Sequence, residues 1–336
     1  MKHFVITRIG IGIYDNLRLR KMIDLFSLVT LPSLLNQYSK NFYSLIITDS
    51  NIPEESLDLL KEKLKNHSNF YIISIDVTNL TRVQSGCFDW IWDKCQDFII
   101  RNNFLDNLDE YIITSILDAD DAWHQSVTAS IEDLALNSLD SLEKSEASRT
   151  TWIRHSAGLL LTIPNGYALY LHTNKYEEMN FPFHSMAIFI VTRFSSGISA
   201  CSSRHSKWPA YADVAGFEIS IWSKAPPMWI YSRHNEGVIP WNESNGIYMD
   251  DKMKNELKLL FGIDMNLLSN WNNNYALEHI SQYTGQKAAE TYNLIFKITY
   301  LNKAISSLLN SPIEKNSEIK SLNEEKKFLI NQLRSK

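Results

Sequence analysis

The sequence predicts an α/β protein whose mostly parallel central sheet is covered by helices on both faces. The first observation is that strand-like apolar runs alternate with helical patterns, the runs lying at residues 3–6, 42–48, 70–75 and 111–117. This alternation favours a parallel sheet buried on both sides. The second observation is a change of character after the fourth run, where short strand-like runs joined by turns predict an added β-rich layer. The third is a polar, helical pattern from about residue 249 to the end.

In the first part of the chain, each predicted strand is followed by a loop or helix with its own signature. The loop after the first strand contains Gly10 and Gly12, where small residues allow a ligand to approach the backbone. The third glycine of a dinucleotide-binding fingerprint does not follow. Leucines at helix-like spacing over residues 25–34 predict a helix, the second strand ends at Asp49, and residues 90–104 form an amphipathic helix before the fourth strand.

The second part predicts hairpins and then helices. Strand-like runs at residues 152–162, 168–172 and 186–192 are separated by turn residues such as Pro164-Asn165-Gly166. Near the end of the chain, an apolar stripe lies on a helix rich in Glu and Lys and consists of Ile319, Leu322, Leu329 and Leu333. This stripe predicts a helix for packing or for oligomer formation, not a catalytic element.

Composition narrows the classes of function. The net charge is -5 and the pI is near 6.0, so sequence-independent binding of nucleic acid has no electrostatic support and no nucleic-acid partner is expected. Three cysteines without zinc-type spacing favour a reducing compartment without a disulfide framework. The amino terminus lacks a signal-peptide pattern and no apolar run reaches the roughly 20 residues that span a bilayer. We expect a soluble, cytoplasmic protein, with the inner face of the membrane as an alternative, peripheral location.

The stretch Leu117-Asp-Ala-Asp-Asp121 is the strongest candidate for a site. It follows a predicted buried strand, and ligands of open α/β sheets bind at the carboxyl ends of the strands. There, Asp118 and Asp120 would offer the hard oxygen ligands that Mg²⁺ or Mn²⁺ prefers. The same residues could equally form a solvated turn or a helix cap. A calcium loop of the EF-hand kind fits poorly, since Trp123 and Ala129 would stand where Gly and Glu belong.

Longer segments resemble a known group of enzymes. Residues 31–49, with the order helix, Ser-x-x-x-Gln and then a strand ending in Asp, resemble the opening of GT-A glycosyltransferases, and the acidic stretch resembles their Asp-x-Asp motif. More narrowly, four segments are similar to a bacterial family of rhamnosyltransferases: Phe4-Val-Ile-Thr-Arg8, the acidic stretch, Pro164-Asn-Gly-Tyr167 and Pro227-Met-Trp-Ile-Tyr-Ser-Arg-His234. The likeness covers roughly residues 1–245.

This resemblance implies a transferase that moves a sugar, with rhamnose as a candidate, from a nucleotide-diphosphate donor to a hydroxyl of a glycan or lipid-linked glycan. Bacterial surface polysaccharide synthesis is the implied setting. On this reading, residues 1–248 form a GT-A-like domain with a nucleotide-binding half, 1–123, and an acceptor-side half, 124–248. Residues 249–336 form a helical C-terminal extension through which the chain could form oligomers.

The resemblance also assigns residues to the donor site. A divalent metal, Mn²⁺ or Mg²⁺, would be held by Asp118, Asp120 and His234, and a neutral imidazole suits that role. The alternative for His234 is an ordinary surface or core histidine. The residues expected around the nucleotide are Thr7, Arg8, Asp49, Arg82 and Asp118.

The chemistry of the reaction requires two further contributions. A bound cation would stabilise the charge of the departing nucleoside diphosphate as a Lewis acid. If the reaction inverts the anomeric centre, as we expect, a carboxylate should take the proton of the acceptor hydroxyl. The candidates are Asp213, Glu218 and Asp121. Asp213 is preferred because it follows Trp208-Pro-Ala-Tyr211, an aromatic segment that could stack on a sugar face.

Two other functions stay open at the level of sequence. A sugar nucleotidyltransferase should carry a Gly-rich, basic loop after the first strand, which Arg8-Ile-Gly-Ile-Gly12 meets in part. A carbohydrate-binding protein could keep the fold without turnover, although the intact Asp118 and Asp120 argue against it.

Overall fold

The computed structural model describes residues 1–80, 89–148, 158–171, 173–234, 246–276, 285–309 and 316–335. Its strands are β1 (Lys2–Arg8), β2 (Phe42–Asp49), β3 (Phe70–Ile75), β4 (Tyr111–Ile116), β5 (Ala122–Trp123), β6 (Gly158–Thr162), β7 (Asn165–Tyr170), β8 (Lys175–Asn180), β9 (Ile188–Arg193), β10 (Phe217–Ile221), β11 (Trp229–Arg233) and β12 (Ile247–Tyr248). Its α-helices are α1 (Asn16–Leu28), α2 (Thr30–Leu35), α3 (Glu54–Leu64), α4 (Asp89–Arg101), α5 (Val127–Ser148), α6 (Trp208–Ala215), α7 (Asp251–Phe261), α8 (Met265–Ala276), α9 (Gly285–Leu309) and α10 (Asn316–Arg334).

The larger sheet contains seven of the described strands in the order β10-β6-β9-β4-β1-β2-β3. Pairing is parallel between β1 and β2, β1 and β4, β2 and β3, and β10 and β6. Strand β9 runs antiparallel to both of its neighbours, β4 and β6. The four strands predicted in the first part of the chain are therefore adjacent, and their carboxyl ends meet at one edge. The predicted α/β class with a mostly parallel sheet flanked by helices is confirmed.

A smaller sheet supplies the added β-rich layer that the sequence predicts, with its described strands in the order β12-β8-β7-β11-β5. The chain crosses from the larger to the smaller sheet at the acidic stretch, because β4 ends at Ile116 and β5 begins at Ala122. Strand β5 pairs antiparallel with β11, Ala122 opposite Ile230 and Trp123 opposite Trp229. Continued past these pairs, the register brings the end of β11 alongside residues 118–121.

Apolar side chains cover both faces of the larger sheet because successive residues of a strand point to opposite sides. In β1, Phe4 and Ile6 belong to the apolar cluster that includes Trp90 of α4. Val5 belongs to the cluster on the opposite face, which includes Phe26 of α1. Since β1 is buried on both sides, its carboxyl end, and therefore Arg8, has a fixed position beside β4.

The C-terminal helices form two separate packing groups. Helices α7 and α8 pack against strands of the smaller sheet, with Leu257 and Leu268 in the same apolar cluster as Ile230. Helices α9 and α10 pack instead near the end of β3, where Leu329 and Leu333 of the predicted stripe are buried. The stripe therefore packs within the chain, while oligomer formation and the division at residue 248 stay predictions. None of the described helices is long and apolar enough to cross a membrane.

A direct link joins α9 to the loop after β3. The side-chain amide of Asn302 donates hydrogen bonds to the carbonyl oxygens of Thr78, at 3.1 Å, and Leu80, at 2.7 Å. Asn302 is itself buried, so these bonds satisfy a polar group that would otherwise cost roughly 1–3 kcal/mol. The contact joins α9 to the β3 edge of the larger sheet.

His3 makes the stability of the core depend on pH. Its ring is 3% exposed, its Nε2 lies 2.8 Å from Ser115 Oγ, and burial lowers its pKa from 6.5 to about 3. Since the folded-state pKa lies below the unfolded one, the unfolded chain binds more protons as the pH falls below 6.5, and stability decreases from there toward pH 3. Between pH 7 and pH 5 the contribution of His3 should be a loss of about 2 kcal/mol.

Urea unfolding of the wild type and of His3→Gln at both pH values measures this loss. The glutamine amide can still reach Ser115 but does not titrate, so the variant should lose about 2 kcal/mol less than the wild type on acidification. Equal losses in the two proteins would contradict an unprotonated, buried His3.

Candidate active site

The acidic stretch forms a tight loop between the two sheets, and α2 holds it in place. The backbone N–H of Asp121 donates to the carbonyl oxygen of Asp118 at 3.1 Å. The hydroxyl of Thr30, at the start of α2, donates to the carbonyl oxygens of Asp121, at 2.8 Å, and Asp118, at 3.2 Å. Thr30 is fully buried, so the loop backbone has a fixed conformation before any ligand binds. The sequence analysis missed this positioning role of Thr30.

Asp118 forms an ion pair with the last residue of the neighbouring strand. Because β1 and β4 are parallel neighbours, their carboxyl ends place Arg8 beside Asp118, and Arg8 Nη2 donates to Asp118 Oδ1 at 2.6 Å. Burial alone would raise the pKa of Asp118, but the charge and hydrogen bond of Arg8 bring it below its usual value. Asp118 is therefore a carboxylate at neutral pH.

Asp120 is joined to the end of β11. The antiparallel register of β5 and β11 brings His234 to this side chain, and His234 Nε2 lies 2.8 Å from Asp120 Oδ2. The His234 ring is buried and meets Trp271 of α8 edge-on, with 6.2 Å between ring centroids. A carboxylate oxygen and an imidazole nitrogen, two ligand types that divalent metals use, therefore converge at one point.

Asp121 is the most deeply buried of the three carboxyl groups. Its Oδ1 accepts a hydrogen bond from the backbone N–H of Ser232 at 3.0 Å, and among the described residues its Oδ2 has no hydrogen-bond partner. Burial raises its pKa well above the usual value, and the charges of Asp120 and Asp118 act in the same direction. Such a cluster favours a bound cation, since positive charge would relieve both the repulsion and the missing contact.

A cavity of about 750 Å³ opens beside this loop, within the range of small-molecule sites. In the part of the chain that the structure describes, its lining carboxyl groups are Asp118, Asp120 and Asp121. The lining arginines and histidines there are Arg8, Arg18, Arg204, Arg233, His184, His205 and His234. Guanidinium groups match the geometry of phosphate oxygens and pair with them through two hydrogen bonds. The cavity therefore combines carboxyl groups that attract a cation with guanidinium groups that attract phosphate.

Beside the cavity lies a stack of three flat rings, two of which, His184 and His205, line it. His184 lies between His205 and Trp229, with ring centroids 5.5 Å apart on each side and interplanar angles of 25° and 20°. The indole of Trp229 is fixed by a 2.8 Å hydrogen bond to the carbonyl oxygen of Ile163. Burial, and secondarily the charge of His205, lower the pKa of His184 to about 4, so this ring is neutral near pH 7.

Five of the residues expected at the site line the cavity together: Arg8, Asp118, Asp120, Asp121 and His234. Thr7 precedes Arg8 in β1 and is fully buried, because alternation along the strand turns it to the other side. Arg82 lies outside the described residues.

Asp49 does not line the cavity, and its carboxyl oxygens have partners within the protein. Tyr14 Oη donates to Asp49 Oδ2 at 2.7 Å, while the backbone N–H and side-chain amide of Asn51 reach Oδ1 at 3.0 and 3.1 Å. Burial raises the pKa of Asp49, although these hydrogen bonds act in the opposite direction. A role of Asp49 at the nucleotide stays a prediction.

The two preferred acid–base candidates lie elsewhere. Asp213 is exposed on α6, and Glu218 is exposed on β10, and neither lines the cavity. On α6 it is Trp208 and Ala212, one helical turn apart, that face inward and are buried. On β10 the inward residue is Phe217, so its neighbour Glu218 points away. Their assignment as the base is untested by this geometry and is not favoured by it.

The described residues contain no group of three or more His, Cys, Asp or Glu side chains arranged as a complete metal site. The convergent pair of Asp120 and His234 offers two ligands, and the unpartnered Asp121 Oδ2 lies in the same loop. Magnesium and manganese sites that serve phosphate substrates commonly use one or two carboxylates and complete their shell with substrate oxygens and water. The residues present fit a cation of that kind.

Carboxylates at the strand ends of this α/β sheet face a cavity lined by arginines, an arrangement that suits an enzyme acting on a phosphate-bearing substrate. The class of enzyme follows from the family to which the sequence belongs. The model of the family described as "Putative rhamnosyl transferase" matches residues 8–238, more than half of the chain, and the chain belongs to that family. The protein is therefore a glycosyltransferase, as the sequence analysis predicted. No curated protein matches the sequence.

Solved structures show more distant similarities. The chain is similar to S. aureus TarS, with 11% identity, a TM-score of 0.35 and coverage of 70% of this chain. It spans 37% of that TarS chain. A TarS structure of residues 1–349 gives 13% identity and a TM-score of 0.36, covering 95% of this chain and 77% of that one. A "putative nucleotide-diphospho-sugar transferase" from Desulfovibrio desulfuricans G20 has 9% identity and a TM-score of 0.36. The match covers 84% of this chain and 98% of that one. Scores this low carry no argument about function.

Proposed function

We propose that the protein transfers a sugar from a nucleotide-diphosphate donor to a hydroxyl of a glycan or lipid-linked glycan, with rhamnose as the first candidate for the sugar. A divalent cation would bind together with the donor. The observation that carries this proposal is the position of the Asp120–His234 pair. Among the described residues, the same cavity is lined by the Arg8–Asp118 pair and three further arginines. A donor diphosphate has matching anionic oxygens, and the family assignment supports a sugar as the transferred group.

The donor would bind through charge and shape. Arg8 keeps Asp118 ionised and fixed in place, while Arg18, Arg204 and Arg233 line the cavity around it. Arg233 is held flat over the Tyr231 ring, 3.9 Å from its centroid, and its Nη1 donates to Tyr231 Oη at 3.0 Å. A guanidinium that is already positioned loses less side-chain entropy on binding a phosphate.

The cation, Mn²⁺ or Mg²⁺, would be held by Asp120 and His234, with the ionised Asp118 contributing negative charge at the same loop. When bound, it would stabilise the developing charge of the nucleoside diphosphate leaving group as a Lewis acid. The 2.8 Å separation of the two ligand atoms supports this assignment, because neighbouring ligands on one such cation with bonds of about 2.1 Å lie about 3 Å apart.

Calorimetric titration with UDP, GDP and dTDP, each with and without Mn²⁺, tests this function. We expect one of the three to bind, and Mn²⁺ to tighten its binding at least tenfold, since about 1.4 kcal/mol from the shared cation suffices for that factor. The matching nucleoside monophosphate is the control, because it lacks the second phosphate that the cation would bridge. Donors of the preferred base, including dTDP-rhamnose for dTDP, then measure turnover.

Each outcome separates the candidate functions. No binding of any nucleotide in either condition would sink the transferase proposal. Binding of a sugar nucleotide without turnover on any acceptor would favour a carbohydrate-binding protein. Release of inorganic pyrophosphate from a nucleoside triphosphate and a sugar phosphate would favour a nucleotidyltransferase.

A further inference from the structure

We propose that His205, and not a carboxylate, is the general base that takes the proton of the acceptor hydroxyl. This inference rests on the proposed glycosyl transfer and concerns the acceptor side of the same cavity. In the described residues, the carboxyl groups that line the cavity are confined to the loop at residues 118–121, where the cation and donor would bind. Asp213 and Glu218 are exposed outside it. His205 lines the same cavity and does not belong to that loop.

The hydrogen bonds of His205 define which nitrogen can act. Its Nδ1 lies 2.9 Å from the carbonyl oxygen of Phe183. A carbonyl oxygen only accepts hydrogen bonds, so Nδ1 carries the hydrogen and Nε2 keeps its lone pair. This is the arrangement by which a backbone carbonyl fixes the tautomer and orientation of a functional histidine. Nε2 is then the proton acceptor.

The ring stack positions His205. It packs face to face on His184, which packs in turn on the buried Trp229. Because His184 is neutral near pH 7, a protonated His205 would not be repelled by a second positive ring in the stack. His184 and Trp229 are positioning residues on this view, since they act on the substrate only through His205.

The electrostatics of the cavity suit a base that becomes a cation during the reaction. The charge of His205 acts on Asp118, whose pKa it helps to lower, so the two groups lie within electrostatic range. An imidazolium formed at His205 would be stabilised by that carboxylate. The titratable and charged side chains that line the cavity together with His205, among the described residues, are Arg8, Arg18, Asp118, Asp120, Asp121, His184, Arg204, Tyr231, Arg233 and His234.

The acceptor oxygen forms a bond to the anomeric carbon while its proton passes to His205 Nε2. The bond from the anomeric carbon to the diphosphate oxygen breaks, and its electron pair leaves with the nucleoside diphosphate. The proton on His205 returns to solvent after the products depart. The exposure of this side chain gives it that route.

The test compares His205→Gln with Asp213→Asn and with His67→Gln in the full-length protein. His67 is partly exposed near Phe70, outside the cavity, and serves as the matched control. Turnover is measured as release of nucleoside diphosphate from the donor found by calorimetry, with para-nitrophenyl glycosides as acceptor probes and water as the baseline. We expect His205→Gln to lower kcat by about 10²–10⁴-fold and to leave the donor KM and nucleotide Kd within twofold. Both other variants should keep wild-type kcat.

Two further readouts distinguish a base from a structural residue. The wild-type kcat should fall toward acid pH as the base becomes protonated, and the residual rate of His205→Gln should lack that acid limb. Added imidazole should restore part of the rate of His205→Ala, with no effect on the wild type. A structural defect would produce neither result.

The inference is overturned if His205→Gln keeps more than half of the wild-type kcat, or if Asp213→Asn shows the large loss instead. Wild-type turnover with an unaffected His205 variant would leave the glycosyltransferase proposal standing while removing His205 from it. A wild type that turns over no sugar nucleotide would overturn both.

Discussion

Replacing Asp120 with asparagine should lower turnover about 10³-fold and remove the effect of Mn²⁺ on nucleotide binding. Asparagine keeps the size of the side chain and can still contact His234, but it removes the anionic oxygen that lies 2.8 Å from His234 Nε2. Loss of one electrostatic contact to the leaving group typically costs 10²–10³-fold in kcat, and weakened cation binding adds to that loss. Steady-state turnover and calorimetry with and without Mn²⁺ measure both effects.

The same substitution should leave the folded protein as stable as before, or more stable. The charge of Asp120 repels the buried Asp121, and asparagine removes that repulsion. Asp58→Asn is the matched control, because Asp58 is an exposed residue of α3 that pairs with Lys61 and does not line the cavity. A variant with wild-type kcat and an unchanged response to Mn²⁺ would show that Asp120 does not hold the cation.

Replacing Gly158 with alanine should reduce the free energy of unfolding by roughly 3 kcal/mol. Gly158 begins β6 with a φ of +155°, and an added Cβ would lie 2.2 Å from the carbonyl oxygen of Val191 and 2.9 Å from Thr192 Cγ2. The unfavourable backbone conformation and the overlap within a packed sheet each cost about 1–3 kcal/mol. Thermal unfolding should show a Tm about 10 °C lower, at 2–4 °C for each kcal/mol.

Gly197→Ala separates the two contributions. Gly197 has a φ of +69°, and nothing lies within 4 Å of an added Cβ. Its replacement should therefore cost only the backbone term, about 1 kcal/mol. If both variants lose the same stability, steric overlap at Gly158 is absent and the close approach of β6 to β9 is wrong.

The central sheet could be predicted from the sequence because its signals are local. Four apolar runs separated by helical patterns are enough to define parallel strands that are buried on both faces, and the structure contains all four as neighbours. The rule that strand ends gather at one edge then predicts that Arg8 and Asp118 meet, as their 2.6 Å contact shows. The long-range partner His234 came from the family resemblance, since no local pattern relates it to Asp120.

The acceptor side could not be predicted in the same way. His184 and His205 lie in or beside short 3₁₀ turns with no periodic pattern, and their positions depend on a backbone carbonyl and a stack of rings from three separate segments. The preference for Asp213 rested on the aromatic residues before it. Residues 208–215 form a helix, however, and its period turns Trp208 inward and Asp213 outward.

A contact of Thr7 with the nucleotide stays a prediction, and the strand pattern of the sequence does not favour it. A strand turns successive side chains to opposite faces, so Thr7 and Arg8 point to different sides of the sheet. In β1 this alternation turns the side chain of Arg8, the last residue of the strand, toward the cavity at the sheet edge. The fully buried Thr7 lies on the other side.

The bonds from Asn302 to the loop after β3 have a consequence for how the chain folds during synthesis. They join positions 224 and 222 residues apart in sequence. At about 5–20 residues per second, the ribosome needs on the order of 10–45 s to make the intervening chain. For that time Val77 and Leu80, which α9 and α10 cover in the finished molecule, would lack their cover. The apolar residues after β3 should thus be among the last of the first 80 residues to be buried during synthesis.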